Sequence, residues 1–500
     1  MTEMASEQPN ILLIVSDEER RNPWLDGMVD MPAHDRLRGD GLDFNRYYTH
    51  SSPCSPSRAS LYTGSYLAEH GVVDNVSFPA HTALDPAIPT VGRLMRDVGY
   101  ESAYLGKYHL THEPMPDMEA FGYSGWQGDD RHYIGGPWTG RHFDPVIADQ
   151  AVDWLQTHGA DPSVGPWFLT VALVNPHDVM WYPLDQPSFQ ESNPDLMGVF
   201  NYLHEHMLGG KVDLEPLEEI YPRRFTQLPD NFDDDLHTKP EVQRAWRHVR
   251  NREHMVGHMA LDNVDSWLRQ LDYYAWLHEL LDHSIASILG ALDDIGAYDD
   301  TVVIYTSDHG DACGSHGLRA KLPCVYEEVM GVPLIVKAPG LTPEGASTDA
   351  LATHVDLAAT VAALGGVDID NAPTLSGKDL TPSLADPSTS VRDYVLFSQD
   401  SAQSELLRHS RYAVRGFFDG ETKYARYYGV GGGIDRTGNL APEPKLFDTD
   451  ADFDDHDHEW YSLAEDPHEV VNLANDRSRR SELRDLFGRL LEYEAAELGG

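Results

Sequence analysis

The chain has 500 residues, of which 41% are hydrophobic, and only three are cysteines. Its 82 acidic and 37 basic residues give a formal net charge of −45, which argues against nucleic acid and anionic membranes as partners. Three cysteines do not build a disulfide framework, and no apolar run approaches the roughly 20 residues that span a bilayer. Residues 1–10 lack the basic segment of a signal peptide. We therefore expect a cytoplasmic protein with no membrane partner.

Strands and helices are predicted to alternate through the first two thirds of the chain. In chain order we predict a strand over 10–16, helices over 57–67 and 88–98, a strand over 100–105, a helix over 147–158, a strand over 167–174, a helix over 266–296, and strands over 301–306 and 332–336. This alternation predicts an α/β fold whose sheet is covered by helices on both faces.

Two segments and the C-terminal part depart from this alternation. Residues 121–143 are rich in Gly and aromatic side chains, and residues 185–265 are polar, so we interpret both as insertions over the active face. After residue 385 the pattern changes to short strands and a helix near 480–497. We predict a catalytic domain over 1–385 and a smaller C-terminal α+β subdomain over 386–500.

Four polar residues each come directly after a predicted strand, namely Asp17, Lys107, His177 and Asp308. Ligands in open α/β sheets collect at the carboxyl ends of the strands, so these residues are predicted to share one site. The adjacent pairs Asp17–Glu18 and Asp308–His309 suit a divalent metal, because neighbouring carboxylates repel each other unless a cation joins them. Oxygen ligands favour calcium or magnesium, whereas a histidine ligand favours manganese or zinc.

Cys54 starts the most informative run of the chain, Cys54-Ser-Pro-Ser-Arg58-Ala-Ser-Leu-Tyr-Thr-Gly64. A helix that begins here would direct its free N–H groups at an anion. Arg58 adds a planar fork of donors that suits sulfate or phosphate oxygens. The run therefore predicts a nucleophile beside an anion-binding cradle, with a buried structural cysteine as the alternative.

Further cationic or imidazole groups are candidates for the same cradle. Lys107 and His109 are two residues apart and would point the same way in an extended segment. His177 directly follows a strand. The alternative for each is an ordinary surface or capping side chain.

These runs resemble, in the same order, the motifs of the type I sulfatases, which depend on formylglycine and belong to the alkaline phosphatase superfamily. The matches are C-x-P-S-R-A-S-L-x-T-G at 54–64, G-K-W-H-L at 106–110 with Tyr108 for Trp, P-H at 176–177, G-x-H-G-L…K…Y-E-E…V-P-L-I-V at 314–336, and E-L-Y-D-L-x-x-D-P-x-E-x-x-N-L at 459–473.

The resemblance implies an alkaline-phosphatase-like α/β/α sandwich with a large mixed sheet. It also implies that a formylglycine-generating enzyme oxidises Cys54, and that the hydrated aldehyde attacks a small-molecule sulfate ester. The implied metal, with Ca²⁺ favoured over Mn²⁺ or Mg²⁺, is held by Asp17, Glu18, Cys54, Asp308 and His309. The other implied catalytic residues are Arg58, Lys107, His109, His177 and Lys321.

Two departures from the family pattern keep alternatives open. Glu18 stands where the family usually has Asp, and His309 stands where many members have Asn. An Asp-His pair also occurs in phosphonate monoester hydrolases and choline-sulfatase-like enzymes, so a phosphonate monoester or phosphodiester hydrolase is the alternative function. A non-enzymatic binding protein is disfavoured because nucleophile, ligands and cradle are all present. The sequence leaves the oligomeric state and the ester open.

Aromatic side chains offer a weak indication of the substrate. Aromatic faces with acidic neighbours suit a cationic group such as choline, and packing within an insertion is the alternative. The candidates are Tyr123, Trp126, Tyr133, Trp138 and Trp181.

Overall fold

The architecture is given by a computed structural model. It describes residues 8–21, 23–25, 27–77, 81–112, 117–126, 130, 135–184, 187–194, 220–252, 258–369, 372, 375–401, 407, 409–429 and 452–498. Among these residues, no helix has the length and apolar character needed to cross a membrane.

The strands of the described residues form one large sheet and two smaller ones. They are β1 Ile11–Asp17, β2 Leu42–Phe44, β3 Tyr47–Tyr48, β4 Glu101–Gly106, β5 Trp167–Pro176, β6 Val302–Ser307, β7 Leu334–Lys337, β8 Ala346–Thr348, β9 Ala352–Thr353, β10 Val395–Gln399, β11 Ala413–Phe418, β12 Thr422–Tyr428 and β13 Asp457–Ser462.

The helices connect and cover these strands. They are α1 Pro32–Asp40, α2 Cys54–Thr63, α3 Leu67–His70, α4 Val91–Asp97, α5 Thr139–Trp154, α6 Pro187–Ser192, α7 Glu241–Arg252, α8 Val264–Asp294, α9 Glu327–Met330, α10 His354–Leu364, α11 Thr381–Ala385 and α12 Arg480–Leu498.

The large sheet has the strand order β4-β5-β1-β6-β7-β2-β8. β1 lies parallel between β5 and β6, with Ile11 opposite Phe168 and Val302. β7 runs antiparallel to β6, so the sheet is mixed. The predicted fold class, an α/β/α sandwich with a large mixed sheet, is confirmed.

Helices pack on both faces of this sheet, and β1 contributes alternate side chains to the two apolar layers. Ile11 and Val15 join the layer covered by α2, α4 and α10, whereas Leu12 and Ile14 join the layer covered by α1, α5 and α8. A strand buried on both faces must be apolar throughout, which explains the continuous run Ile11–Val15.

The predicted helix over 57–67 is wrong in its bounds. Helix α2 already begins at Cys54, and its last residue is Thr63, because the next residue, Gly64, takes a left-handed φ of 63°. A Cβ at Gly64 would lie 2.7 Å from a Leu375 methyl group, so glycine is required both for the backbone and for the space. A separate turn, α3, follows.

Strands β10 to β13 form an antiparallel sheet that lies entirely after residue 385. Helix α12 packs on it through Leu483, Leu486 and Leu490. Buried Lys423 of β12 lies 2.7 Å from Glu327 and 2.9 Å from Glu469. The α+β character of the C-terminal part is confirmed, while the boundary at 385 and the two insertions stay predictions.

Candidate active site

The four polar residues predicted at strand ends lie along one edge of the large sheet. Asp17 is the last residue of β1, and Lys107, His177 and Asp308 directly follow β4, β5 and β6. Because these strands are neighbours and run parallel, their carboxyl ends meet. All four side chains are buried.

Cys54 is the first residue of α2 and is fully buried. Its Sγ lies 3.2 Å from Nε2 of His309, 3.7 Å from Oδ1 of Asp17 and 3.9 Å from Nζ of Lys107. Burial, reinforced by the charge of Asp17, raises the pKa of the thiol to about 11. The unmodified side chain is therefore a protonated thiol at neutral pH, which is a weak nucleophile.

Arg58 lies one helical turn after Cys54 and joins the two strand-end carboxylates. Nη2 donates to Oδ2 of Asp17 and Nε to Oδ2 of Asp308, each at 2.9 Å, and Nη1 donates to the carbonyl of Lys107 at 2.8 Å. Burial raises the pKa of Asp17, but Lys107, His177 and Arg58 outweigh it and hold that pKa well below its usual value. Arg58 thus orients two anionic side chains.

A divalent cation fits the side chains around Cys54. One ligand atom each from Asp17, Cys54, Asp308 and His309 lies within 4.8 Å of the others, and all four residues are buried. The backbone N–H groups of Glu18 and His309 donate to Oδ1 of Asp308 at 3.1 and 2.9 Å, which holds that carboxylate in place. Two carboxylates and an imidazole form a donor set that suits such a cation.

Glu18, the other predicted metal ligand, lies outside this group of four, but with Asp17 and His177 it forms a second buried group whose ligand atoms lie within 4.8 Å of one another. Its backbone has a left-handed φ of 70°. Oε2 accepts from Nζ of Lys321 at 2.8 Å and lies 3.5 Å from Nε2 of His177. Oε1 is buried and has no hydrogen-bond partner among the described residues. Burial raises the pKa of Glu18 well above its usual value.

The extended segment expected at Lys107–His109 is wrong, because His109 takes a left-handed φ of 57°. Its N–H donates to Oδ2 of Asp130 at 2.7 Å, and its Nε2 lies 3.4 Å from Oγ of Ser77. Lys107 instead turns its Nζ to Asp17, at 2.6 Å. Burial, and then the charges of Lys107 and Arg58, lower the pKa of His109 well below its usual value, so this imidazole is neutral.

His177 and Lys321 both contact the carboxylate of Glu18, at 3.5 and 2.8 Å. Burial and the charges of Lys321 and Lys107 lower the pKa of His177 well below its usual value. Burial alone would lower the pKa of Lys321, but Cys54, Glu18 and Asp17 raise it, so the ammonium stays charged. The site therefore offers a neutral imidazole beside a fixed cation.

Two carboxylates that support the site are not among the predicted site residues. Asp130 accepts from the N–H groups of Tyr108 and His109 at 3.0 and 2.7 Å. Asp178 accepts from the N–H groups of Gly140 and Arg141, at 3.1 and 2.8 Å, at the start of α5. The position of Asp178 beside His177 was a usable signal, whereas Asp130 lies in a segment without periodicity.

The aromatic candidates are mostly packing residues. Tyr123 is fully buried against Tyr104, with ring centroids 5.2 Å apart. Trp126 donates from its indole N–H to the carbonyl of Gly106 at 2.8 Å. Trp138 and Trp181 belong to an apolar cluster with α8, and Tyr133 lies outside the described residues.

Comparison with known proteins shows what this chain resembles in sequence and in fold. A family model described as Sulfatase matches residues 9–367. An N-acetylglucosamine-6-O-sulfatase of Bacteroides thetaiotaomicron is 25% identical over 98% of this chain and 87% of the relative. A choline-sulfatase of Rhizobium meliloti is 26% identical over 94% of this chain and 85% of the relative. A phosphonate monoester hydrolase structure from Silicibacter pomeroyi is similar in fold, with a TM-score of 0.70 at 20% identity over 98% of this chain and 96% of that one.

Proposed function

The chain belongs to the sulfatase family and is a sulfuric ester hydrolase, and we propose that it cleaves a small-molecule sulfate monoester through a formylglycine at position 54 and one Ca²⁺ ion. The observation that carries this proposal is the placement of Cys54. Its Sγ lies at the start of a helix, next to Asp17 and His309 and within the group of four candidate ligands. A formylglycine-generating enzyme is the proposed maturation partner.

Asp17, Asp308, His309 and residue 54 would hold the cation. When bound, a divalent cation supplies Lewis-acid catalysis, because it lowers the pKa of a neighbouring hydroxyl and withdraws charge from the ester. Arg58 orients Asp17 and Asp308 through its hydrogen bonds to both. The positive end of the α2 macrodipole, at Cys54, favours the negatively charged sulfuryl oxygens.

The remaining residues bind the ester and move protons. Lys107, His177 and Lys321 surround Asp17 and would hold sulfuryl oxygens as charge moves onto the leaving group. Lys321 keeps its proton at neutral pH, so its Nζ is the proposed donor to the leaving oxygen. His109 is neutral, and its imidazole is the proposed acceptor of the proton from the hydrated aldehyde when sulfate is expelled.

The second candidate is hydrolysis of a phosphonate monoester or a phosphodiester. The favouring observation is that Asp308 and His309 both belong to the group of four, because an Asp-His pair is the feature shared with phosphonate monoester hydrolases. Phosphonate monoesters, phosphodiesters and sulfate monoesters carry one negative charge each, so the same cations accommodate all three.

The test compares hydrolysis of an aryl sulfate with that of an aryl phosphonate monoester, with Ca²⁺, Mn²⁺ and Mg²⁺ added in turn to metal-free protein. We expect the aryl sulfate to have the higher kcat/KM and Ca²⁺ to restore the most activity. Peptide mass spectrometry should find an aldehyde in place of the Cys54 thiol in active protein. The control is Cys54→Ala, which should keep the fold and lose turnover. Full activity of protein with an intact Cys54 thiol would refute the formylglycine route.

We also propose a cytoplasmic location. Its support is that all three cysteines are free and buried, which is typical of a reducing compartment. Cell fractionation followed by immunodetection tests this proposal, and recovery outside the cytoplasmic fraction would contradict it.

A further inference from the structure

A second network of charged side chains lies behind the candidate metal ligands. Glu19 follows Asp17 by two residues and is fully buried. Its Oε2 accepts hydrogen bonds from Ser16 Oγ at 2.7 Å and from the Tyr305 hydroxyl of β6. Its Oε1 lies 3.7 Å from Nε2 of His34. Glu19 therefore connects the end of β1 with β6 and with helix α1.

His34 extends this network to helix α8. Its Nδ1 lies 2.6 Å from Oδ1 of Asp282. The Asp282 carboxylate also accepts from the N–H groups of Ala33 and His34, at 3.1 and 2.9 Å, and so caps the start of α1. The His34 ring packs edge-on against Tyr305, with ring centroids 4.7 Å apart. Asp282, His34 and Glu19 thus form one buried charge network, in which His34 is hydrogen-bonded to Asp282 and forms an ion pair with Glu19 at 3.7 Å.

The charges of these three side chains stabilise a single arrangement of the network. An imidazole between two buried carboxylates is stabilised as the imidazolium. Burial opposes that charge, but the contacts with Asp282 and Glu19 prevail and raise the pKa of His34 to about 9. Moving any one of the three groups away would leave an unpaired charge in the interior, which is strongly unfavourable.

The network reaches both carboxylates of the candidate metal site through the backbone. Ser16 and Glu19 flank Asp17 in sequence, and the Glu19 N–H donates to Oγ of Ser307 at 3.0 Å. Ser307 directly precedes Asp308. Glu19 is therefore connected through the backbone to both strand ends, which carry Asp17 and Asp308.

We propose that Glu19 and His34 are positioning residues for the divalent cation: they set the geometry of Asp17 and Asp308 without contacting the metal or the ester. This inference rests on the metal site proposed above. Partners of this kind, which hold the ligands of a metal from behind, typically change metal affinity about 10- to 100-fold when they are replaced.

The experiment measures Ca²⁺ binding alone, by titration calorimetry on metal-free protein in one defined maturation state. The variants are Glu19→Gln, His34→Gln and the double variant. The double variant removes both charges, so it provides a protein to measure if a single variant with an unpaired buried charge does not fold. The control is His458→Gln, because His458 is hydrogen-bonded at both ring nitrogens, to Tyr424 and to Phe453, far along the chain in the C-terminal sheet. Urea unfolding of each metal-free variant is measured separately.

We expect each single variant to raise the Ca²⁺ dissociation constant at least about tenfold. The dissociation constant of the double variant should rise no more than that of the weaker-binding single variant, because both residues act through the same network. The control should bind Ca²⁺ like the wild type. Dissociation constants within about twofold of wild type, together with reduced stability to urea, would show a merely structural role and overturn the inference. Absence of Ca²⁺ binding by the wild type would instead overturn the proposed metal site, and the inference with it.

Discussion

Replacing Arg58 by methionine tests whether the guanidinium organises the site. Arg58→Met keeps an unbranched side chain but removes the hydrogen bonds to Asp17 and Asp308, at 2.9 Å each, and to the carbonyl of Lys107, at 2.8 Å. Asp17 keeps Lys107 as a partner, at 2.6 Å. Asp308 keeps the two backbone donors on its Oδ1 and loses its arginine partner on Oδ2.

The expected cost follows from these partners. Breaking a buried ion pair by removing one member costs about 3–5 kcal/mol, because the remaining charge is buried without compensation. Since both carboxylates keep some of their partners, we expect Arg58→Met to lower the free energy of unfolding of the metal-free protein by about 3 kcal/mol. A bound divalent cation would neutralise the same carboxylates, so the loss should be smaller at saturating Ca²⁺. Arg58→Lys, which keeps the charge but lacks the planar fork, should lose less than Arg58→Met.

The pH dependence of this loss has a defined sign. The pKa of Asp17 is held well below its unfolded value near 3.9, so its contribution to stability is present above that pH and disappears as the pH falls through the folded pKa. The difference between wild type and Arg58→Met should therefore be largest at pH 7 and shrink below about pH 4. Urea unfolding followed by tryptophan fluorescence gives the free energies. Equal stability of wild type and Arg58→Met in metal-free protein at pH 7 would refute this reasoning.

Three further predictions concern other parts of the molecule. Lys321→Met removes the charged partner of Glu18 and should lower kcat/KM at least about 100-fold in steady-state assays with an aryl sulfate, with an unchanged circular dichroism spectrum; retained turnover would exclude Lys321 from catalysis. Chelation of the metal should abolish turnover and lower the melting temperature of the protein. Added Ca²⁺ should restore the turnover and the original melting temperature, and activity that survives complete chelation would contradict a required metal. Lys423→Met removes a buried cation from buried Glu469 and from part-exposed Glu327, which keeps Arg21 as a partner at 2.6 Å. It should cost about 3 kcal/mol in urea unfolding, and an unchanged midpoint would show that this contact does not stabilise the protein.

Local sequence determined the elements that carry the site. The apolar run Ile11–Val15 and the segments that become β5 and β6 can only be buried strands, and their bounds agree with the structure to within a few residues. Because parallel strands place their carboxyl ends together, the shared location of Asp17 and Asp308 follows from sequence and topology alone. The order of the motifs likewise identified the family that the comparisons show.

Tertiary structure alone decided how the side chains are paired. Glu18 follows Asp17, yet the left-handed backbone at Glu18 turns its carboxylate to Lys321 instead of into the group around Cys54. Arg58 pairs with two carboxylates that are far from it in sequence. The network of Asp282, His34 and Glu19 likewise joins residues that are far apart in sequence. Strand periodicity is a local property that sequence encodes directly. The partner of a buried charge depends on which segments pack against it, and that is fixed only when the whole chain has folded.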